Sequence, residues 1–194
     1  MSIILFLLTS PVNFIDGVAM GNKQTEHAAF AGGCFWCVQH AFDDIDGVLS
    51  TQVGYTGGTV KSPTYEQVCS GTTGHFEAIQ ITFDPSKISY KKLLDIYWHN
   101  IDPTKADGQF CDIGSQYRPA IFYHDESQKK IAEESKKELL KTKNIVVEIL
   151  PAQPFYPAED YHQKYYQKSP FRYELYDLGS GRKNRLKELW GNQK

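Results

Sequence analysis

Two cysteines, Cys34 and Cys37, stand three positions apart in the run Gly32-Gly33-Cys34-Phe35-Trp36-Cys37. A cysteine acts as a nucleophile when its environment favours the thiolate. The run follows a short apolar stretch (Ala28, Ala29, Phe30, Ala31) and precedes apolar residues at Val38, Ala41, Phe42 and Ile45. Strand, glycine turn and helix fit that pattern. Cys34 then falls at or near the first helical turn, where unpaired N–H groups and the positive end of the helix dipole lower a thiol's pKa. The glycines allow a reactant to approach the backbone closely. Phe35 and Trp36 offer an apolar wall. The expected chemistry is a nucleophilic sulfur on a hydrophobic floor, which needs an acid from elsewhere in the chain.

That acid is expected on the strand 76–83, which stops at Asp84-Pro85. Side chains alternate along a strand, so Glu77 shares a face with Ile79, Ile81 and Phe83. A carboxyl group on an apolar face is pushed toward its neutral form. The plain alternative is a structural ion pair.

Other expected elements position these groups. They are a strand at 26–32, a helix at 34–45, a strand at 47–55 and a turn-rich loop from Gly54 to Thr64. Thr64 caps a helical turn at 65–69, and Ser89 caps a helix with the stripe Leu93, Leu94, Tyr97, Trp98 and Ile101. A polar loop at 102–115 holds Cys111 and Asp112. Strands at 118–124 and 145–150 flank a charged surface helix at 126–141. A helix from Ala158 follows, and from Gly179 the chain reads as an irregular basic tail. Strands and helices alternate in part, with long loops and a hairpin. The expected fold is therefore α+β, a ferredoxin-like two-layer α/β sandwich with a mixed sheet. Residues 26–178 form the catalytic domain in this reading, between an extension at 1–25 and a tail at 179–194.

Composition narrows the function. The 194 residues suit one domain, and a formal net charge of -2 carries no basic footprint for nucleic acid. Four cysteines, with one CxxC pair, are too few for a disulfide scaffold and lack the spacing of a structural zinc site. The apolar run from Ile3 to Leu8 is too short to span a bilayer. It resembles a weak signal peptide, but no Lys or Arg precedes it and Asp16 follows. A cytoplasmic monomer is expected, with export through residues 1–25 as the alternative.

Five ordered motifs resemble the A-type peptide methionine sulfoxide reductases. They are Gly33-Cys34-Phe35-Trp36, the run from Pro63 to Gly71, Thr73 to Ala78, Gly114-Ser115-Gln116-Tyr117-Arg118, and Phe155 to Gln163. The resemblance implies thiol-dependent reduction of the S epimer of methionine sulfoxide, free or in proteins, in the repair of oxidised proteins. It implies that Cys34 is the nucleophile and becomes a sulfenic acid. Glu77 matches the acid that protonates the sulfoxide oxygen, Tyr65 and Tyr117 the phenols that bond it, and Asp112 a carboxylate at the pocket's polar end. Phe35 and Trp36 would hold the S-methyl group. Many members recycle through cysteines in a C-terminal tail, but no cysteine follows Cys111. Cys37, one helical turn from Cys34, is the natural substitute, with Cys111 and Cys69 as fallbacks, Cys69 being more simply a buried thiol. Thioredoxin, or dithiothreitol in vitro, would reduce the disulfide, with no metal or bound organic cofactor. Two other classes share some of these features. One is a thioredoxin-like disulfide oxidoreductase, which would have no need of a buried acid. The other is a non-catalytic redox or peptide-binding module.

Overall fold

The computed structural model describes residues 25–191. The expected extension at 1–25 lies, except for Thr25, outside the described residues. In chain order the elements are β1 (Glu26–Ala31), α1 (Phe35–Phe42), β2 (Val48–Thr56), α2 (Tyr65–Cys69), β3 (Phe76–Phe83), α3 (Tyr90–His99), β4 (Gly108–Gln109) and β5 (Asp112–Ile113). A 3-10 turn (Ser115–Tyr117) leads to β6 (Ala120–Tyr123), α4 (Glu126–Leu139), β7 (Glu148–Pro151), β8 (Tyr156–Pro157), α5 (Tyr165–Lys168), α6 (Pro170–Gly179) and α7 (Arg182–Trp190).

Six strands form one sheet in the order β7-β6-β1-β3-β2-β8. Neighbours are antiparallel except β6 and β7, so the sheet is mixed. β3 lies between β1 and β2, and β1 lies between β3 and β6. Two split βαβ units, β1-α1-β2 and β3-α3-β6, are thus interleaved, which is the ferredoxin-like arrangement. β4 and β5 pair as a small separate hairpin.

The alternation read along β3 explains the core. Ile79, Ile81 and Phe83 join Phe30, Val38, Leu93 and Tyr97 in the main cluster. Phe30 stacks on Tyr97 at 4.9 Å between ring centroids, and the Tyr97 hydroxyl donates to the Ala31 carbonyl at 2.8 Å. The opposite face is also covered, by Phe122, Leu150 and Phe155 against Phe76 and Ala78. Both faces of the sheet are therefore dry where β3 begins.

Local signals hold where the physics is local. Thr64 and Gln67 form a reciprocal capping box at α2, and Ser89 accepts from the Lys92 N–H at the start of α3. Two segments differ from expectation. The helix expected from Ala158 is confined to Tyr165–Lys168. Before it, the Gln163 side chain accepts from the Val53 N–H at 3.0 Å and donates to the Val53 carbonyl at 2.8 Å, which straps the chain along the sheet edge. The stretch expected to be irregular from Gly179 contains α7. Its anchors include polar bonds: Arg182 donates to the Asn100 carbonyl at 2.5 Å, Arg185 to Asp102 at 2.7 Å, and the Trp190 indole, whose ring packs against the main core, to the Ile101 carbonyl at 3.4 Å.

Candidate active site

Cys34 is the N-cap of α1, directly after the glycine turn that leaves β1. Gly33 has a φ of +81°, and a Cβ there would lie 2.5 Å from the Gln109 Cβ. Only glycine fits that backbone and that approach. Gln109 is buried and bonds both the N–H and the carbonyl of Asp102, so the turn seats the 102–115 loop that carries Asp112.

The expected lowering of the Cys34 thiol by the helix terminus is corrected by its surroundings. Cys34 is 9% exposed, and burial pushes its pKa well above the ordinary value, with the Cys37 thiol and the Glu77 charge acting the same way. Taking a thiolate out of water disfavours it. Cys37 is 5% exposed and packs with Cys34 in one buried cluster. The neighbouring Cys34 thiol draws the Cys37 thiol below its ordinary value against the opposing effect of burial, with help from Arg182 and Tyr173.

Glu77 is 2% exposed at the start of β3. The Phe35 N–H, the first of α1, donates to its Oε2 at 3.1 Å. Burial, opposed by the Phe35 bond and aided by the Asp112 charge, raises the Glu77 pKa to about 8. A carboxylic acid that keeps its proton near neutrality thus stands beside the first N–H after the nucleophile.

The charge of Glu77 acts on both Tyr65 and Tyr117. Tyr65 opens α2, and its N–H donates to Glu159 Oε1 at 2.9 Å, while the Tyr55 hydroxyl donates to Glu159 Oε2 at 2.9 Å. Burial raises the Tyr65 phenol, and the Cys69 thiol and then the charge of Glu77 act the same way. Tyr117 closes the 3-10 turn, raised by burial and then by the charges of Glu77, Cys69, Asp112 and Cys34. Both remain protonated donors.

Of the two aromatics, Phe35 is 1% exposed, packed with Val53, Tyr55 and Val68. Trp36 keeps some surface to offer a ligand. Its indole N–H donates to His162 Nδ1 at 3.1 Å, and its ring stacks on Tyr165 at 3.9 Å. Cys69, expected to be buried, is exposed, as is Cys111.

Sequence reasoning missed the contribution of α6. Tyr173 and Tyr176 are one turn apart and both pack in the cluster that holds Cys34 and Cys37, and the Tyr176 hydroxyl donates to Asp112 Oδ2. Pro170 at the helix start and the i, i+3 tyrosines were the available signals. Glu159 was also missed, although it lies inside a recognised motif. Among the described residues no group of three or more His, Cys, Asp or Glu side chains is placed to hold a metal ion, and no helix is long and apolar enough to cross a membrane.

A paired thiol system with a neutral carboxylic acid at its side is the working centre of a thiol-based oxidoreductase. The family model for peptide methionine sulfoxide reductase matches residues 26–194. The peptide methionine sulfoxide reductase MsrA of Bacillus licheniformis is 54% identical over 175 residues, which is 88% of this chain and 97% of that protein. The crystal structure of reduced Mxr1 from Saccharomyces cerevisiae matches with a TM-score of 0.72 at 31% identity, covering 77% of this chain and 88% of the yeast chain. Mxr1 in complex with Trx2 matches in fold, with a TM-score of 0.52 at 21% identity over 77% of this chain and 91% of that one. The chain belongs to the peptide methionine sulfoxide reductase family. Its activity is the thiol-dependent reduction of methionine sulfoxide.

Proposed function

We propose that Cys34 reduces methionine-(S)-sulfoxide, free or in proteins, with Glu77 as the proton donor and Cys37 as the resolving residue. The observation that carries this reading is the buried Glu77 carboxyl, bonded to the amide that follows Cys34 and protonated up to a pKa of about 8.

In the first step the Cys34 sulfur attacks the sulfoxide sulfur. The sulfoxide oxygen becomes basic and takes the Glu77 proton, and the proton of the Cys34 thiol restores Glu77. Oxygen passes to Cys34, methionine leaves, and a sulfenic acid remains. The Tyr65 and Tyr117 hydroxyls donate to the oxygen as its charge develops, and Asp112 shapes the polar end of the pocket. Trp36, with Phe35 behind it, receives the S-methyl group. Cys37 then closes a disulfide with Cys34.

Thioredoxin is the proposed reductant for that disulfide, in keeping with the complex of yeast Mxr1 with Trx2. No bound organic cofactor takes part, and dithiothreitol can replace thioredoxin in vitro. Such a cycle suits a reducing compartment, which favours the cytoplasm.

The test is single-turnover reduction of the separated sulfoxide epimers, with thiols counted afterwards. Consumption of the S epimer with loss of two thiols, and of one in Cys37→Ser, supports the reading. Loss of two thiols in both proteins moves resolution to Cys111 or Cys69. No consumption of either epimer removes Cys34 from its role.

A further inference from the structure

Cys37 is enclosed by groups from four elements. Cys34 at the start of α1 and Tyr173 of α6 pack with it in one buried cluster, and both act on its thiol. The charges of Arg182 at the start of α7 and of Asp177 on α6 also act on it, and it in turn acts on Glu77 of β3 and on Tyr176. The negative charge of Asp177 is opposed by Lys183 at 2.9 Å.

The two groups that favour a Cys37 thiolate are held in place. The Tyr173 hydroxyl lies 3.0 Å from His40 Nδ1. With the His40 proton on that nitrogen, His40 donates to Tyr173 and leaves the phenol hydrogen free to donate to sulfur. Arg182 is 7% exposed, a rare burial for an arginine. Its guanidinium is tied to the Asn100 carbonyl at 2.5 Å and lies 4.9 Å from the centre of the Phe110 ring. These fixed contacts prevent the charge from swinging out to solvent.

We propose that Tyr173 and Arg182 are positioning residues for the second half of the cycle, holding Cys37 as the sulfur that attacks the Cys34 sulfenic acid. The proposal rests on the reading of Cys37 as the resolving residue. In that step an electron pair from Cys37 forms the S–S bond as the S–O bond of Cys34 breaks. Both electrons of the S–O bond leave with the oxygen, which takes a proton from Glu77 and departs as water. The Cys37 sulfur is oxidised and the Cys34 sulfur reduced, each to the disulfide level. Glu77 regains its proton from solvent. The C-terminal helices thus assist recycling through a phenol and a guanidinium where other members use cysteines.

The experiment follows methionine release and sulfenic acid decay in the same single-turnover sample, the sulfenic acid being trapped with dimedone and counted by mass. Wild type, Tyr173→Phe, Arg182→Lys and Arg182→Met are compared between about pH 6 and 9.5. In Tyr173→Phe the decay, relative to methionine release, slows about tenfold near neutral pH, and its midpoint moves up by about one pH unit. Raising the pH restores it. Arg182→Met shifts the midpoint the same way if it folds, and Arg182→Lys keeps it near wild type. A decay profile in Tyr173→Phe that overlays wild type overturns the proposal. Loss of two thiols in Cys37→Ser instead overturns the reading beneath it, so the two failures are distinguishable.

Discussion

The amide of Phe35 donates to the carboxyl of Glu77 at 3.1 Å across 42 residues of sequence. Cys34 makes no side-chain capping bond of its own, so the acid of the site also satisfies the first N–H of α1. That bond favours the ionised carboxylate, while burial favours the neutral acid, and burial prevails. One contact therefore sets both where the acid stands and how tightly it holds its proton.

Replacing Glu77 with Gln keeps an oxygen for the Phe35 N–H but removes the transferable proton. The sulfoxide-reduction step should slow by roughly 10²–10⁴. In wild type that step should fall as pH rises through about 8, where Glu77 loses its proton. The falling limb should vanish in Glu77→Gln. Stopped-flow methionine release against pH checks both, and an unchanged single-turnover rate in the variant would remove Glu77 from the acid's role.

The same carboxyl links stability to pH. Its pKa rises from an ordinary 4.5 to about 8 in the folded chain, so the folded state holds a proton that the unfolded state releases. The stabilisation is complete below the lower value and is lost as pH rises through the upper one. Urea unfolding of wild type and Glu77→Gln from about pH 4.5 to 9 should show wild type losing stability relative to the variant across that window.

His162 sits behind Trp36 and accepts its indole N–H at 3.1 Å. Burial lowers the His162 pKa, which keeps the ring neutral and able to accept. His162→Phe preserves an aromatic ring at that position but frees the indole. A lost hydrogen bond of about 1 kcal/mol should raise KM for the sulfoxide about fivefold. Steady-state kinetics with kcat and KM resolved would test this, and an equal fall in kcat with no change in KM would count against a wall-positioning role.

Gly33 cannot take a side chain without moving the 102–115 loop. Ala at φ +81° would also bring its Cβ to 2.5 Å from Gln109. Gly33→Ala should destabilise the fold by about 3 kcal/mol. Denaturant midpoints would show the loss, and a midpoint within error of wild type would mean that the turn has room the structure does not contain.

Much of this site is written in short-range pattern. A glycine pair before a cysteine and a helical stripe places Cys34 at a helix start, and the alternation of β3 puts Glu77 on the face of Ile79, Ile81 and Phe83. The Thr64 capping box opens α2 at Tyr65. These features follow from backbone sterics and side-chain periodicity, which act over a few residues.

Only the tertiary structure decided the rest. The helix terminus and burial make opposite demands on the Cys34 thiol, and which prevails depends on what covers it. Much of that cover comes from Trp36, Tyr173 and Tyr176. The anchoring of α7 runs through hydrogen bonds of Arg182, Arg185 and Trp190 to residues 100–102 and the packing of one ring, Trp190, on the core, which leave no hydrophobic period to read. Sequence determined which groups could react. Long-range packing, by excluding water from some and aiming hydrogen bonds at others, decided which of them hold their protons.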